Sequence, residues 1–117
     1  MTWTVLFHDD FEAEVLALDR EVRIALLASS KVLSLYGPTL GRPLVDTLYG
    51  SRFPNMKELR FEAAGGVWRV AFAFDPSRSA ILLVAGNKRG QPQDRFYAGL
   101  IRRADDRFSR YLTDRNT

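Results

Sequence analysis

Apolar residues in this chain follow two different rhythms. Thr2 to His8 (TWTVLFH) is β-branched and aromatic, which predicts a strand. From Phe11 the spacing changes. Phe11, Val15 and Leu18 recur at helical intervals, and Asp9 and Asp10 stand where a helix is capped. Asp19-Arg20-Glu21 predicts a break. A second helix then runs to about Tyr36 on the stripe Val22, Leu26, Ser29, Leu33, Tyr36, and Gly37-Pro38 stops it. Residues 37–55 hold three prolines and read as a long irregular segment, with a helical turn around Val45–Leu48. Three strands follow at about 56–62, 67–75 and 80–86, separated by the turn chemistry of Ala63-Ala64-Gly65-Gly66 and Asp75-Pro76-Ser77-Arg78-Ser79. A last helix spans about 93–113, with Tyr97, Ile101, Ala104, Phe108 and Tyr111 on one stripe and Phe96 and Leu100 as further core candidates. The order β-α-α-β-β-β-α in one domain, 1–117, predicts an α+β fold: a small, mostly antiparallel sheet with helices against one face.

Strand parity carries the pattern further. A first turn centred on Ala63–Gly66 sets Phe61 opposite Trp68, Leu59 opposite Val70, and Arg60 opposite Arg69 on the other face. A second turn centred between 75 and 80 sets Phe74 opposite Ile81, Phe72 opposite Leu83, and Gly86 opposite Arg69. Lys88 shares the parity of Gly86. One face is then large and apolar, and the other carries Arg60, Arg69 and Lys88 around the small Ala71 and Ala73. Two like charges opposed on a ladder repel by ~1–4 kcal/mol at surface dielectric. Two readings stay open. Glu58 and Glu62 share that parity and can neutralise the cations, or an anion such as a phosphate is held there.

Composition narrows the classes. At 46% hydrophobic, the chain has enough apolar material to order itself. The longest clean apolar run, Ala80 to Ala85, is far short of the roughly 20 residues a bilayer needs. The first residues lack a basic start followed by an apolar stretch, so no signal peptide is expected, and a cytoplasmic location is the default. There is no cysteine and one histidine, which excludes thiolate zinc sites, cysteine nucleophiles and paired-histidine catalysis. No metal, cofactor or membrane partner is expected. Residues 1–41 carry a net charge of −3 and residues 42–117 one of +6. The bases are 14 arginines and only 3 lysines, a bias that suits phosphate, although genome composition explains such a count equally well. Lys57 lies at a loop–strand junction where parity decides nothing. His8 reads as a cap or surface residue, and Lys88-Arg89-Gly90 equally as a basic loop that can touch nucleic acid or as a solvated turn.

The stretch Lys57-Glu58-Leu59-Arg60-Phe61, then GVWRVAFAFD from Gly66 to Asp75, then Ile81-Leu82-Leu83 with Asn87-Lys88, then Phe96-Tyr97, resembles the phage-derived, HigB-like branch of the RelE/ParE toxin superfamily. Gly37-Pro38 and Gly41-Arg42-Pro43-Leu44 fit that family's loop before the meander. The resemblance covers nearly the whole chain. It implies a small twisted sheet with the two N-terminal helices packed on one face. It implies the toxin of a type II toxin–antitoxin pair, a ribosome-dependent mRNA endoribonuclease whose partners are the ribosome, mRNA and a helix-turn-helix antitoxin. By position it implies Lys57, Arg60, Arg69, Lys88 and Tyr97 as site residues, with Lys57, Arg60, Arg69 and Tyr97 expected to be catalytic; Lys88, with Arg89 of the basic loop, is expected to bind RNA. Some relatives use a site histidine, and this chain has none there. Metal-free cleavage needs alignment of the 2′-hydroxyl, charge stabilisation at phosphorus and management of two protons. Lys57 or Tyr97 is expected as base or orienting group if crowded cations lower its pKa. The rivals are a ParE-like gyrase-inhibiting toxin and a non-catalytic RNA-binding module.

Overall fold

A computed structural model describes residues 2–115; Met1, Asn116 and Thr117 of the expected domain lie outside the described residues. The elements are β1 (Thr4–Phe7), α1 (Asp9–Val15), α2 (Arg20–Tyr36), a short 3-10 turn (Gly37–Thr39), β2 (Val45–Thr47), β3 (Met56–Ala63), β4 (Gly66–Phe74), β5 (Ser79–Asn87) and α3 (Gln93–Arg115). They build one five-stranded sheet in the order β1-β5-β4-β3-β2. The sheet is mixed rather than wholly antiparallel, because β1 lies parallel to β5. Among the described residues no helix is long and apolar enough to cross a membrane.

Local chemistry sets the boundaries. The cap of α1 is His8, not Asp9 or Asp10: its Nδ1 accepts the Asp10 N–H at 3.1 Å, and the two aspartates lie in the first turn instead. Accepting through Nδ1 requires the unprotonated nitrogen, and burial lowers the pKa of this histidine below its ordinary value. At the end of α2, Gly37 takes φ +56°, and a Cβ there would meet the Trp3 ring at 2.4 Å. Only glycine meets both demands. The turn between β3 and β4 has Ala64 and Gly65 at φ +51° and +74°, the mirror-type turn that matches strand twist.

The sheet is covered on both faces, which corrects the expected single helical layer. Phe11, Val15, Leu26 and Leu33 of α1 and α2 pack on Leu59, Val70, Phe72 and Leu82. On the opposite face Phe96, Leu100, Ala104 and Phe108 of α3 pack on Met56, Ala71, Ala73 and Ile81. The small Ala71 and Ala73 are thus the floor on which a helix rests. The segment 37–55 also differs from expectation. Val45–Thr47 is a strand, not a helical turn, pairing antiparallel with Lys57–Leu59.

The first hairpin has the predicted register, with Arg60 facing Arg69. The second keeps it only from Trp68 to Ala71. A β-bulge then shifts the ladder by one, so Phe72 faces Leu82 and Phe74 faces Ala80, in place of Leu83 and Ile81. Leu83 is the extra residue. Its carbonyl accepts a 2.7 Å hydrogen bond from Nη1 of Arg107, a buried arginine on α3. The same guanidinium grips both oxygens of Glu14 on α1 (2.7 and 2.6 Å), and Arg110 reaches Asp10 at 2.8 Å. Across the same face, the Tyr111 hydroxyl donates to Asp75 at 2.7 Å, and burial together with that bond pushes the phenol up to about 12.

These ties give stability an acid limit. The hydrogen bond from Arg107 holds the Glu14 carboxyl below its ordinary 4.5, and the bond from Arg110 holds Asp10 below its ordinary 3.8. A carboxyl whose pKa is depressed by folding contributes stability above its unfolded pKa and loses it as pH falls through the folded value. The thermal midpoint is therefore expected to fall as pH drops below about 4.5, and to fall less steeply in Glu14→Gln. Circular dichroism melts between neutral pH and pH 3 check this; equal slopes for the two proteins overturn it.

Candidate functional site

Alternation along β3 sends Glu58 and Arg60 to the α3 face, and the ladder sets Arg69 beside Arg60 and Gly86 beside Arg69. Gly86 lets α3 come close: a Cβ there would lie 2.8 Å from the Phe96 ring. Seating Phe96 brings the next residue, Tyr97, over the arginines. The result is a cleft of about 540 Å³ whose lining includes Arg60, Arg69, Lys88, Tyr97, Glu58 and Asp46. Four of the six site residues expected from sequence are brought together in it.

The opposed arginines share one carboxylate. Glu58 is only 2% exposed. Its Oε2 accepts from Arg60 Nε at 3.0 Å and Nη2 at 2.8 Å, and its Oε1 accepts from the Tyr97 hydroxyl at 2.8 Å. Arg69 Nε lies 3.6 Å from Oε1 and donates to the Tyr97 oxygen at 3.3 Å, while its Nη1 donates to the Trp68 carbonyl at 2.9 Å. Asp46 adds a second anion at the rim, 3.4 Å from Arg60 Nη2 and 3.0 Å from Arg42 Nε. Lys88 Nζ stands 5.7 Å from the centroid of the Tyr97 ring. Of the two readings left open by parity, neutralisation by a carboxylate is real but incomplete. Arg60 Nη1 and Arg69 Nη2 carry no hydrogen bond among the described residues, and the lining has four cations against two carboxylates.

Burial works against the charge on Arg60, but Glu58 outweighs it, and its pKa lies above the ordinary value. Burial also raises Tyr97, and the bond to Glu58 raises it further. The expectation that neighbouring cations make this phenol acidic is therefore reversed. The protonated Tyr97 hydroxyl donates a hydrogen bond to Glu58, which suits a positioning group better than a base.

Two expected residues fall outside the cleft. Lys57 pairs with Phe72 and Thr47, so strand alternation turns it to the face that α1 and α2 cover. Arg89 is exposed beyond β5, and its guanidinium donates to the Gly65 carbonyl at the β3–β4 turn. His8 belongs to the β1 edge, across the sheet from β2. Sequence reasoning missed Asp46 and Arg42 because it missed β2. It weighed Glu58 only as a neutraliser, since nothing in a strand pattern shows that the hydroxyl of a distant helix lands on the same carboxylate.

The model of the family described as "Phage derived protein Gp49-like (DUF891)" matches residues 13–109. The chain is 49% identical over 96 residues to the candidate toxin HigB2 of Mycobacterium tuberculosis (strain ATCC 25618 / H37Rv), covering 81% of this chain and 47% of that protein. It thus spans about half the length of that relative. It is 43% identical over 108 residues to the candidate toxin HigB3 of the same organism, covering 92% of each. Among solved structures, the free state of an arginine double mutant of the E. coli toxin RelE superimposes with a TM-score of 0.63 at 15% identity, covering 88% of this chain and 98% of that one. The chain therefore belongs to the Gp49-like family of phage-derived proteins, as a HigB-like member with the RelE fold.

Proposed function

We propose that this chain is the toxin of a type II toxin–antitoxin pair and acts as a ribosome-dependent mRNA endoribonuclease in the cytoplasm, neutralised by a helix-turn-helix antitoxin. The observation that carries the proposal is the convergence of Arg60, Arg69, Lys88 and Tyr97 on one open cleft, with one guanidinium nitrogen of each arginine unpaired among the described residues. The names of the relatives support the toxin half of it.

The chemistry is an in-line displacement. The 2′-oxygen loses its proton and bonds to phosphorus, the P–O5′ bond breaks, and the 5′-oxygen takes up a proton. The products are a 2′,3′-cyclic phosphate and a 5′-hydroxyl. Arg60 and Arg69 present their unpaired nitrogens, Nη1 and Nη2 respectively, to the non-bridging oxygens and hold the charge that grows on them. Glu58 and Tyr97 fix the angle of those guanidinium planes. No histidine lies among the residues that line the cleft, so proton transfer is slow without help, and the ribosome supplies the positioning.

Full-length protein added to a purified translation reaction is expected to cut mRNA and leave cyclic-phosphate ends, and to leave ribosome-free RNA largely intact. Intact message with unaffected protein synthesis overturns the proposal. Loss of gyrase supercoiling in place of cleavage favours the ParE-like reading, and RNA binding with no cyclic-phosphate product favours a non-catalytic module.

A further inference from the structure

Beside the cleft stands a largely exposed aromatic ring. Tyr49 is 82% exposed, and among the described residues it has no hydrogen bond and no ring partner. Its loop is nonetheless held on both sides. Leu48 is buried in the core under α3, and its N–H donates to the Met56 carbonyl at 3.0 Å. Beyond Tyr49, Gly50 turns the chain at φ +96°. The Ser51 hydroxyl donates to Asp105 on α3, the Arg52 N–H reaches the same carboxylate at 3.1 Å, and Phe53 packs edge-on against Phe108 with ring centroids 5.0 Å apart. The ring is therefore presented on an anchored tip.

The surroundings say what kind of partner fits. Tyr49 itself lines the cleft that holds Arg60, Arg69 and Lys88. From Gly50 a second groove of about 580 Å³ leads away, and it holds Arg52 and Arg102. That groove also holds two carboxylates: Asp105 accepts from the Ser51 hydroxyl and the Arg52 N–H, and Asp106 pairs with Arg110 at 3.2 Å. A flat aromatic face between two tracks of guanidinium groups is the arrangement that binds single-stranded nucleic acid, stacking a base while cations follow the backbone. A protein partner would instead call for apolar neighbours around the ring, and Arg42, Asp46 and Thr47 stand there.

We propose that Tyr49 is a base-stacking residue: a base beside the phosphate held by Arg60 and Arg69 lies on its ring, and the strand continues over Gly50 toward Arg52 and Arg102. This rests on the reading of the cleft as an mRNA site. Stacking tolerates any base and strengthens with ring area, so purines are preferred at that position.

The test has two arms. In the first, full-length protein is titrated into a fluorescent 2′-O-methyl RNA octamer, which it cannot cut. Tyr49→Ala is expected to bind about 5- to 100-fold more weakly than wild type, Tyr49→Phe within about twofold of it, and Tyr49→Trp at least as tightly. In the second, the same variants cut mRNA in purified translation, with the same ranking. Tyr49→Ala that equals the wild type in both binding and cleavage overturns the stacking role and leaves the nuclease reading standing. Tyr49→Phe as weak as Tyr49→Ala assigns the effect to the hydroxyl and also overturns it. A wild-type protein that neither binds nor cuts overturns both readings. Tyr49→Ala that loses only its antitoxin, with RNA binding intact, overturns the proposal in favour of a protein contact. Because the ring is exposed, all variants are expected to melt with the wild type.

Discussion

Alanine at both Arg60 and Arg69 is expected to lower mRNA cleavage by at least about 10³-fold, since one preorganised donor is typically worth about 10²–10³ in rate. The variant needs a companion. Glu58 is almost fully buried, and stripping both cations from it leaves a lone carboxylate inside the protein, a loss of about 3–5 kcal/mol. An unfolded protein would then imitate an inactive one. The comparison is therefore made in a Glu58→Gln background, where no charge is stranded, and measured against Glu58→Gln alone. A second pair, Arg60→Lys with Arg69→Lys, keeps the charge and removes the planar fork. It is expected to retain partial cleavage, between wild type and alanine. Undiminished cutting by the triple variant sinks the proposed site.

The other large effect concerns folding. Arg107→Met is expected to destabilise the protein by about 2–4 kcal/mol, measured by urea or thermal unfolding. Its hydrophobic stem is replaced, but the Leu83 carbonyl at the bulge and the Glu14 carboxylate both lose a donor. The carbonyl belongs to a fully buried residue, where a lost donor is costly. Glu14 is 46% exposed and rehydrates, so most of the loss belongs to the bulge. Arg110→Met is the control. Its bonds to Asp10 and Asp106 lie in solvent, and its removal is expected to leave the melting curve in place. Equal effects for the two substitutions overturn the assignment.

How far the sequence reaches is clearest along the sheet. The register of the first hairpin was legible because a short turn fixes which residues oppose each other. That placed Arg60 against Arg69 correctly. The second hairpin was legible only as far as Ala71, because an added residue at Leu83 leaves no trace in the alternation: Ile81, Leu82, Leu83 and Val84 are all apolar and fit either face. β2 was hidden by its length, three residues in a glycine- and proline-rich stretch, and with it went Asp46 and Arg42. Ala71 and Ala73, expected among the cations, serve as the floor under α3. Lys57 lies opposite Phe72 in that same first hairpin, and its face follows once β3 is seen to begin at Met56 rather than after a loop junction. The link from Tyr97 to Glu58 spans 39 positions in the chain, and no local pattern encodes it.

The shared carboxylate also decides what the cleft ignores. Any phosphate that arrives finds guanidinium groups already satisfied on one edge by an internal counter-ion, so its gain is a difference between two anions rather than the whole attraction. Free phosphate and stray polyanions profit little from such an exchange. A ligand that adds contacts elsewhere along its length profits more, so on the proposed reading the resident anion favours an extended strand over free phosphate.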